Sequence, residues 1–407
     1  MGCAGAKIPE TTRIVIVGGG MGACSAGHKL AKGLQSSGAH ITIIEKRQTY
    51  NHNIANPRAA VDPRWMTHLF VPYDKSFTAS NTTVVHGEVT AVRAGAVTVN
   101  GRDIPADFIV VATGARLAAP GKFVDDDNAA MAYLTEQAAA IRRAARVTII
   151  GGGAVGLELA GEIRHLYADK TVTVVHSRDR LMSSMPTFKP KFYTKLAEKL
   201  EQHKINVILS TRVVRPEADS EAKAGDGEEG KVDTPASPPA YMEGTVTLRT
   251  DAGKELPETD LVIWTVGAAG YNTGCMREHF GAQLNEAGAI LVDDHLRVQG
   301  STNVFAMGDV AATGEPNMAV VNGHHVEYLQ KALAEFAAGK GDTVAPYKRH
   351  SEAACLLTLG PQDGVLQFGP LGVKGGKFAS KIKGQGMFLP QTWKEFGYPA
   401  PTLPKAL

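Results

Sequence analysis

"RIVIVGGGMGACSAGHKL", Arg13 to Leu30, sets a β-branched apolar run, a glycine-rich turn and a helix-forming run end to end. In the GxGxxG/A pattern, Gly18 permits the tight turn and Gly20 lets the backbone approach a pyrophosphate. A small third residue, Ala23, lets the helix pack on the sheet. Gly19, Met21 and Gly22 complete the loop and the helix start, whose free N–H groups and positive dipole end attract an anion. The next apolar run, "AHITIIEKR", follows at βαβ spacing and ends with Glu45 placed for a pair of ribose hydroxyls. This combination predicts a dinucleotide site.

The same grammar returns in "RVTIIGGGAVGLELAGEIRHLY" followed by "KTVTVVHSRDR". Gly151, Gly153 and Gly156 repeat the loop, but His176 and Ser177 stand where the acid should be, followed by Arg178. A carboxylate there would repel a 2′-phosphate, whereas Arg178 can pair with one. NADPH is therefore expected to be accepted alongside NADH.

Two such units in one chain point to an α/β protein with two nested Rossmann-like domains, one for bound FAD and one for exchanging NAD(P)H. "FIVVATGAR", with Thr113 and Gly114, and "LVIWTVGAAG", with Gly267, read as the strand-to-linker turns between them. "STNVFAMGDVA" far downstream reads as the piece completing the first unit, and its Asp309 is placed for ribityl hydroxyls. The expected organisation is an FAD domain over 12–118 and 268–345, an NAD(P)H domain over 119–267, and a C-terminal α+β interface domain over 346–407. Residues 1–11 read as a flexible start. The stretch near 216–240, "PEADSEAKAGDGEEGKVDTPASPPA", is too polar and too rich in Gly and Pro to build a core and reads as a disordered surface insert.

Bulk properties exclude several classes. A net charge of +2 on 407 residues leaves no domain-wide basic excess for nucleic acid. No apolar run reaches the ~20 residues that cross a bilayer, and "MGCAGAKIPETTR" has no signal-peptide core. That start does place Gly2 for myristoylation and Cys3 for palmitoylation, although Ala6 replaces the preferred Ser/Thr. Two acyl chains together would hold a membrane stably. The remaining cysteines, Cys24, Cys275 and Cys355, are scattered without CxxC spacing, so neither a disulfide framework nor a metal site is expected.

With these motifs in place the chain resembles the two-dinucleotide-binding-domain flavoproteins, and within them the ferroptosis-suppressor branch of the apoptosis-inducing-factor-like NAD(P)H:quinone oxidoreductases. "NHNIANPRAAV", "APGKF", "GGGAVGLELAGEI", "VVHS", "NVFAMGDVA" and "TWK" carry the likeness. The resemblance implies that Arg58, Val89 and Lys122 hold the flavin together with the first glycine loop and Asp309. It also implies that Glu158 lies by the flavin–nicotinamide contact and is needed for activity, and that Gly2 is myristoylated. Departures are Ala6, the insert, and a tail running past "TWKEF" as "GYPAPTLPKAL".

Without a dithiol to store two electrons, the acceptor must reach the flavin directly, and a quinone suits that requirement. The segment "EPNMAVVNGHHVEYL" should start a helix whose N–H groups at Met318 and Ala319 face the reduced ring. His325, or its neighbour His324, is a candidate proton donor to the quinol. The lysines Lys374, Lys377, Lys381 and Lys383, interleaved with Phe378, Ile382, Met387, Phe388, Leu389 and Trp393, read either as a bilayer-contacting surface or as a solvated interface domain. Dimerisation through this domain is a further reading. The expected protein is a flavoenzyme reducing a ubiquinone-like quinone on the cytoplasmic side of a membrane and sparing lipids from peroxidation. The rival reading is a redox sensor in which NADH reduction changes conformation or partners.

Overall fold

The computed structural model describes residues 12–35, 38–123, 126–183, 188–215, 241–266, 268–350 and 354–405. The lipidation candidates Gly2 and Cys3, the acidic insert and Gly267 lie outside the described residues.

The first sheet begins with β1 (Arg13–Val17), β2 (His40–Glu45), β3 (Thr82–His86) and β4 (Phe108–Val111), all parallel. The second contains β5 (Arg146–Ile150), β6 (Thr171–Val175), β7 (Ile205–Ile208), β8 (Tyr241–Val246) and β9 (Thr259–Trp264), in the order β7-β6-β5-β9-β8. Its outer strand β8 runs antiparallel to β9. Far downstream, β10 (Val304–Ala306) returns to pair in parallel with β4, giving the first sheet the order β10-β4-β1-β2-β3. The second unit is thus inserted into the first, as the two glycine motifs and the late "NVFA" strand require.

The strands read as unbroken β-branched runs because both faces are covered. Ile14, Val15, Ile16 and Val17 are all buried. Helix α1 (Met21–Leu34) covers one face with small residues, among them Ala23, Ala26 and Gly27. A Cβ on Gly27 would lie 2.7 Å from the Phe77 ring. Helix α2 (Asn56–Ala59) follows β2, and α3 (Asp127–Arg143) leads into β5. The second glycine turn opens α4 (Ala154–Leu166), in which Leu157, Leu159, Ala160 and Ile163 are fully buried. The two linkers between the units cross as an antiparallel pair, Ala115–Leu117 against Ala268–Tyr271.

The C-terminal unit is a small antiparallel sheet, β11 (Cys355–Thr358), β12 (Gly364–Phe368) and β13 (Gly372–Gly375), followed by short helices. It docks on the stretch after β2. His52 Nε2 donates to the Met387 carbonyl at 2.6 Å, and its Nδ1 accepts from the Thr392 hydroxyl at 3.0 Å. Trp393 Nε1 donates to the His68 carbonyl at 2.9 Å. Met387 and Leu389, expected as surface residues, are instead core, because the chain turns inward here to close against this stretch. Among the described residues no helix is long and apolar enough to cross a membrane.

Candidate functional site

The carboxyl ends of β1, β2, β4 and β10 open on a cleft of about 650 Å³. Gly18, at φ +109°, turns the chain out of β1, where a Cβ would sit 2.8 Å from the Ala112 carbonyl oxygen. Gly20 caps α1 with no side-chain partner, and nothing lies within 4 Å of where its Cβ would be. The first-turn amides of Met21 and Gly22 therefore face open space, the arrangement that receives a pyrophosphate. Glu45 ties the loop in place: its carboxylate accepts from Gly19 N at 2.5 Å and from Arg47 N at 3.0 Å.

On the opposite wall, Lys122 Nζ donates to Asp309 Oδ2 at 2.8 Å and to the Ala115 carbonyl at 3.2 Å. One ammonium thus joins the Gly308–Asp309 turn to the inter-unit linker. Gly114 beside it takes φ +70°, a left-handed turn that favours glycine. Val89 and Thr113 also line the cleft. Met318 caps α5 (Ala319–Ala337), the helix following the Gly308–Asp309 turn, without a side-chain partner, so the N-terminal amides of that helix are free at the cleft wall.

The fit to a dinucleotide shows in what the walls leave unsatisfied. Arg47 Nε, Thr113 Oγ1, Arg116 Nε and Asn322 Oδ1 are buried polar atoms without hydrogen-bond partners, and all four residues line this cleft. Buried polar atoms are seldom left unpaired unless a ligand or water completes them. Arg47, Arg116 and Asn322, with Tyr73, whose hydroxyl holds the Gly19 carbonyl at 2.5 Å, are site residues that the glycine motifs alone did not flag. Arg47 had a local signal, two residues beyond Glu45. Arg116 and Asn322 lie within the quoted "FIVVATGAR" and "EPNMAVVNGHHVEYL" runs, but nothing in those runs singled them out.

In the second unit Gly151 (φ +122°) repeats the turn, and Gly153 caps α4 with nothing near its Cβ direction. A Cβ on Gly156 would come within 2.1 Å of the Gly151 carbonyl, so helix and loop pack at glycine distance. His176 Nδ1 accepts from Gly152 N at 3.1 Å, and its Nε2 lies 2.9 Å from Ser183 Oγ. Burial lowers its pKa, and Arg178 pushes the same way. Ser177 and Arg178 are exposed beside it.

Four expectations need correction. Arg58 does not line the dinucleotide cleft: its guanidinium donates to Glu162 Oε1 through Nε (3.0 Å) and Nη2 (2.7 Å) and to the Gly384 carbonyl. The short helix α2 packs against α4, and that pairing consumes the charge a flavin phosphate would need. Glu158 is likewise not among the residues lining the cleft. Its carboxylate takes Lys383 Nζ at 2.5 Å and the Thr358 amide at 3.1 Å, because its side of α4 packs on β11. Lys383, expected on a solvated or lipid-facing surface, is buried by the same contact. His325 is not a free proton donor. Its Nδ1 accepts Gly308 N at 3.0 Å and its Nε2 donates to Glu315 at 2.9 Å, and burial lowers its pKa against the pull of that carboxylate. It positions the Gly308–Asp309 turn from behind. His324 stacks on His350, with ring centroids 3.6 Å apart.

The described cysteines Cys24, Cys275 and Cys355 are each free. Cys24 is buried in α1 and bonds to the Gly19 carbonyl, and burial pushes the Cys275 thiol up to about 11.

A family model described as "Pyridine nucleotide-disulphide oxidoreductase" matches residues 12–333. Apoptosis-inducing factor homolog B of Dictyostelium discoideum is 30% identical, across 97% of this chain and 99% of the relative. Ferroptosis suppressor protein 1 of Homo sapiens is 27% identical across 94% and 95%. Among solved structures, the sulfide:quinone oxidoreductase of Aquifex aeolicus superposes with a TM-score of 0.71 at 16% identity, covering 96% of this chain and 93% of that one, a likeness of fold.

Proposed function

Because the chain belongs to the pyridine nucleotide-disulphide oxidoreductase family, beside apoptosis-inducing factor homologues and ferroptosis suppressor proteins, we propose that this NAD(P)H-dependent FAD oxidoreductase passes its electrons to a quinone. The observation that carries the reading is a dinucleotide cleft with unpaired polar walls in a chain whose described cysteines are each free. A flat apolar acceptor that comes to the ring needs no sulfur relay.

Bound FAD supplies the hydride and electron chemistry, and the protein supplies position and charge. The first glycine loop and the α1 amides bind pyrophosphate, while Arg116 offers an unpaired Nε–H to the rest of the dinucleotide and Arg47, ion-paired with Asp127, keeps only its Nε–H for it. Lys122 holds the Asp309 carboxylate in place through a 2.8 Å hydrogen bond, and the free amides at the start of α5 favour negative charge opposite them. His325 and Glu315 hold the Gly308 turn from outside the cleft. In the second unit the α4 amides take the pyrophosphate of NAD(P)H, and His176 with Arg178 admits a 2′-phosphate.

The acceptor is read as lipid-soluble. Phe368, Leu371, Phe378 and Ile382 are each more than 40% exposed in the C-terminal unit, with Lys374 exposed among them. Such a surface suits the cytoplasmic side of an anionic bilayer, where acylated Gly2 and Cys3 would add a second anchor. Regenerating an antioxidant quinol there would protect membrane lipids. Anaerobic titration tests the route: NADH should bleach the flavin absorbance and a short-chain ubiquinone should restore it rapidly. Flavin that stays bleached with quinone present would sink the quinone assignment.

A further inference from the structure

Apart from the dinucleotide cleft, a second cavity of about 600 Å³ lies where the segment after α2, the end of α4 and the C-terminal unit meet. No residue lines both. Its walls are apolar, with Val61, Trp65, Leu166 and Leu403 the main surfaces. Its charges do not balance. Arg58 is consumed by Glu162, and Arg64 is bound to Asp62 through Nε (2.8 Å) and Nη2 (2.6 Å). Lys377, Lys381 and Lys405 remain, all exposed at the cavity, and none has a carboxylate partner among the described residues. His165, also on the wall, has an Nε2 without a hydrogen-bond partner.

We propose that this cavity binds a single-chain amphiphile with an anionic head, a carboxylate or a phosphate. Ligand sites of this size are mostly apolar with a few placed polar groups, and here the charged groups left without a partner among the described residues are all cationic. The geometry also orients the ligand. Leu166 ends α4, so the negative end of that helix dipole faces the inner wall and disfavours an anion there. The head therefore sits among the three lysines and the chain lies between Trp65, Leu166 and Leu403. A nucleotide fits poorly, since among the described residues no glycine-rich turn opening a long helix lines this space; the helices that start here, Pro63–His68 and Lys377–Ala379, are short. The site is independent of the quinone reading.

The test is calorimetric titration of the FAD-loaded protein with dodecanoate, dodecyl phosphate, dodecanol and inorganic phosphate, each below its micellar concentration. Dodecanoate and dodecyl phosphate should each bind at one site per chain. Dodecanol and inorganic phosphate should bind at least ~10-fold more weakly, ~1.4 kcal/mol or more. Two variants probe head and chain separately. Lys377→Glu/Lys381→Glu reverses two of the three cations, and Leu403→Trp fills the chain space without changing charge. Unchanged flavin absorbance and melting temperature certify their folding. Each should weaken dodecanoate at least ~10-fold. Tight binding surviving in either folded variant overturns the proposal, as do equal affinity for dodecanol or weak binding at many sites.

Discussion

Glu45 and His176 occupy the same place in the two dinucleotide units. Each lies one residue past the last parallel register pair, Val17 with Ile44 and Ile150 with Val175. Each accepts the amide of the middle glycine, Gly19 N to the carboxylate and Gly152 N to the imidazole. The second unit keeps the hydrogen bond and drops the negative charge.

On the proposed reading, that substitution is what admits NADPH. His176→Glu should restore the acid, keep the loop hydrogen bond and repel a 2′-phosphate. The expected result is a fall in kcat/KM for NADPH of about tenfold or more with NADH little changed, since tenfold needs only ~1.4 kcal/mol. Paired steady-state assays read it, and an unchanged NADPH-to-NADH ratio would refute the assignment.

Lys122→Ala removes the ammonium that joins Asp309 to the linker. A charged hydrogen bond of this kind contributes ~1.5–3 kcal/mol, so flavin affinity should drop roughly 10- to 100-fold. The FAD content of the purified variant and its dissociation constant measure this. Full retention of flavin would show that the Lys122–Asp309 pair serves the fold alone.

Arg58→Met strands Glu162 as a buried lone carboxylate. Removing one partner of a buried pair costs about 3–5 kcal/mol, whereas replacing both with apolar groups is often neutral. Unfolding by denaturant should therefore show a large loss for the single variant and recovery in Arg58→Met/Glu162→Leu, with flavin bound throughout. Flavin loss without destabilisation would return Arg58 to the cofactor.

Glu158→Ala should retain its yellow colour and lose turnover, because α4 is no longer clamped to β11. Lys383→Met should do the same, and the double variant should be no worse than either single one. If Glu158 instead touched the reacting atoms, Lys383→Met would be nearly spared. Turnover number and flavin content in the three variants decide between them.

His52 is buried between Met387 and Thr392, and burial lowers its pKa from 6.5 to about 4. The unfolded chain therefore takes up the proton first as pH falls. Stability from this group is complete above pH 6.5 and is lost between there and about 4, by at most ~1.4 kcal/mol per pH unit. Melting temperature should decline less steeply across that window in His52→Gln. Parallel curves would remove His52 from the account.

What could be read from the sequence was local. The strand, glycine turn and helix of each unit follow from neighbouring residues, and β10 was legible because "NVFAMGD" repeats the strand-then-turn pattern. Where partners are remote the reading failed. Arg58 meets Glu162 across 104 positions and Glu158 meets Lys383 across 225, and nothing in a linear pattern says that such charges will neutralise one another. His325 shows a subtler limit. Glu315 is only ten residues away, yet the loop that brings it round depends on Tyr347 and the His350 amide also binding its carboxylate.

The two buried carboxylates on α4 draw their cations from opposite ends of the chain, Arg58 from before the helix and Lys383 from long after it. Peeling away either flanking unit would strand an ion in a medium that cannot solvate it. Heat should accordingly disassemble the three units in concert, as one sharp endotherm rather than a staircase.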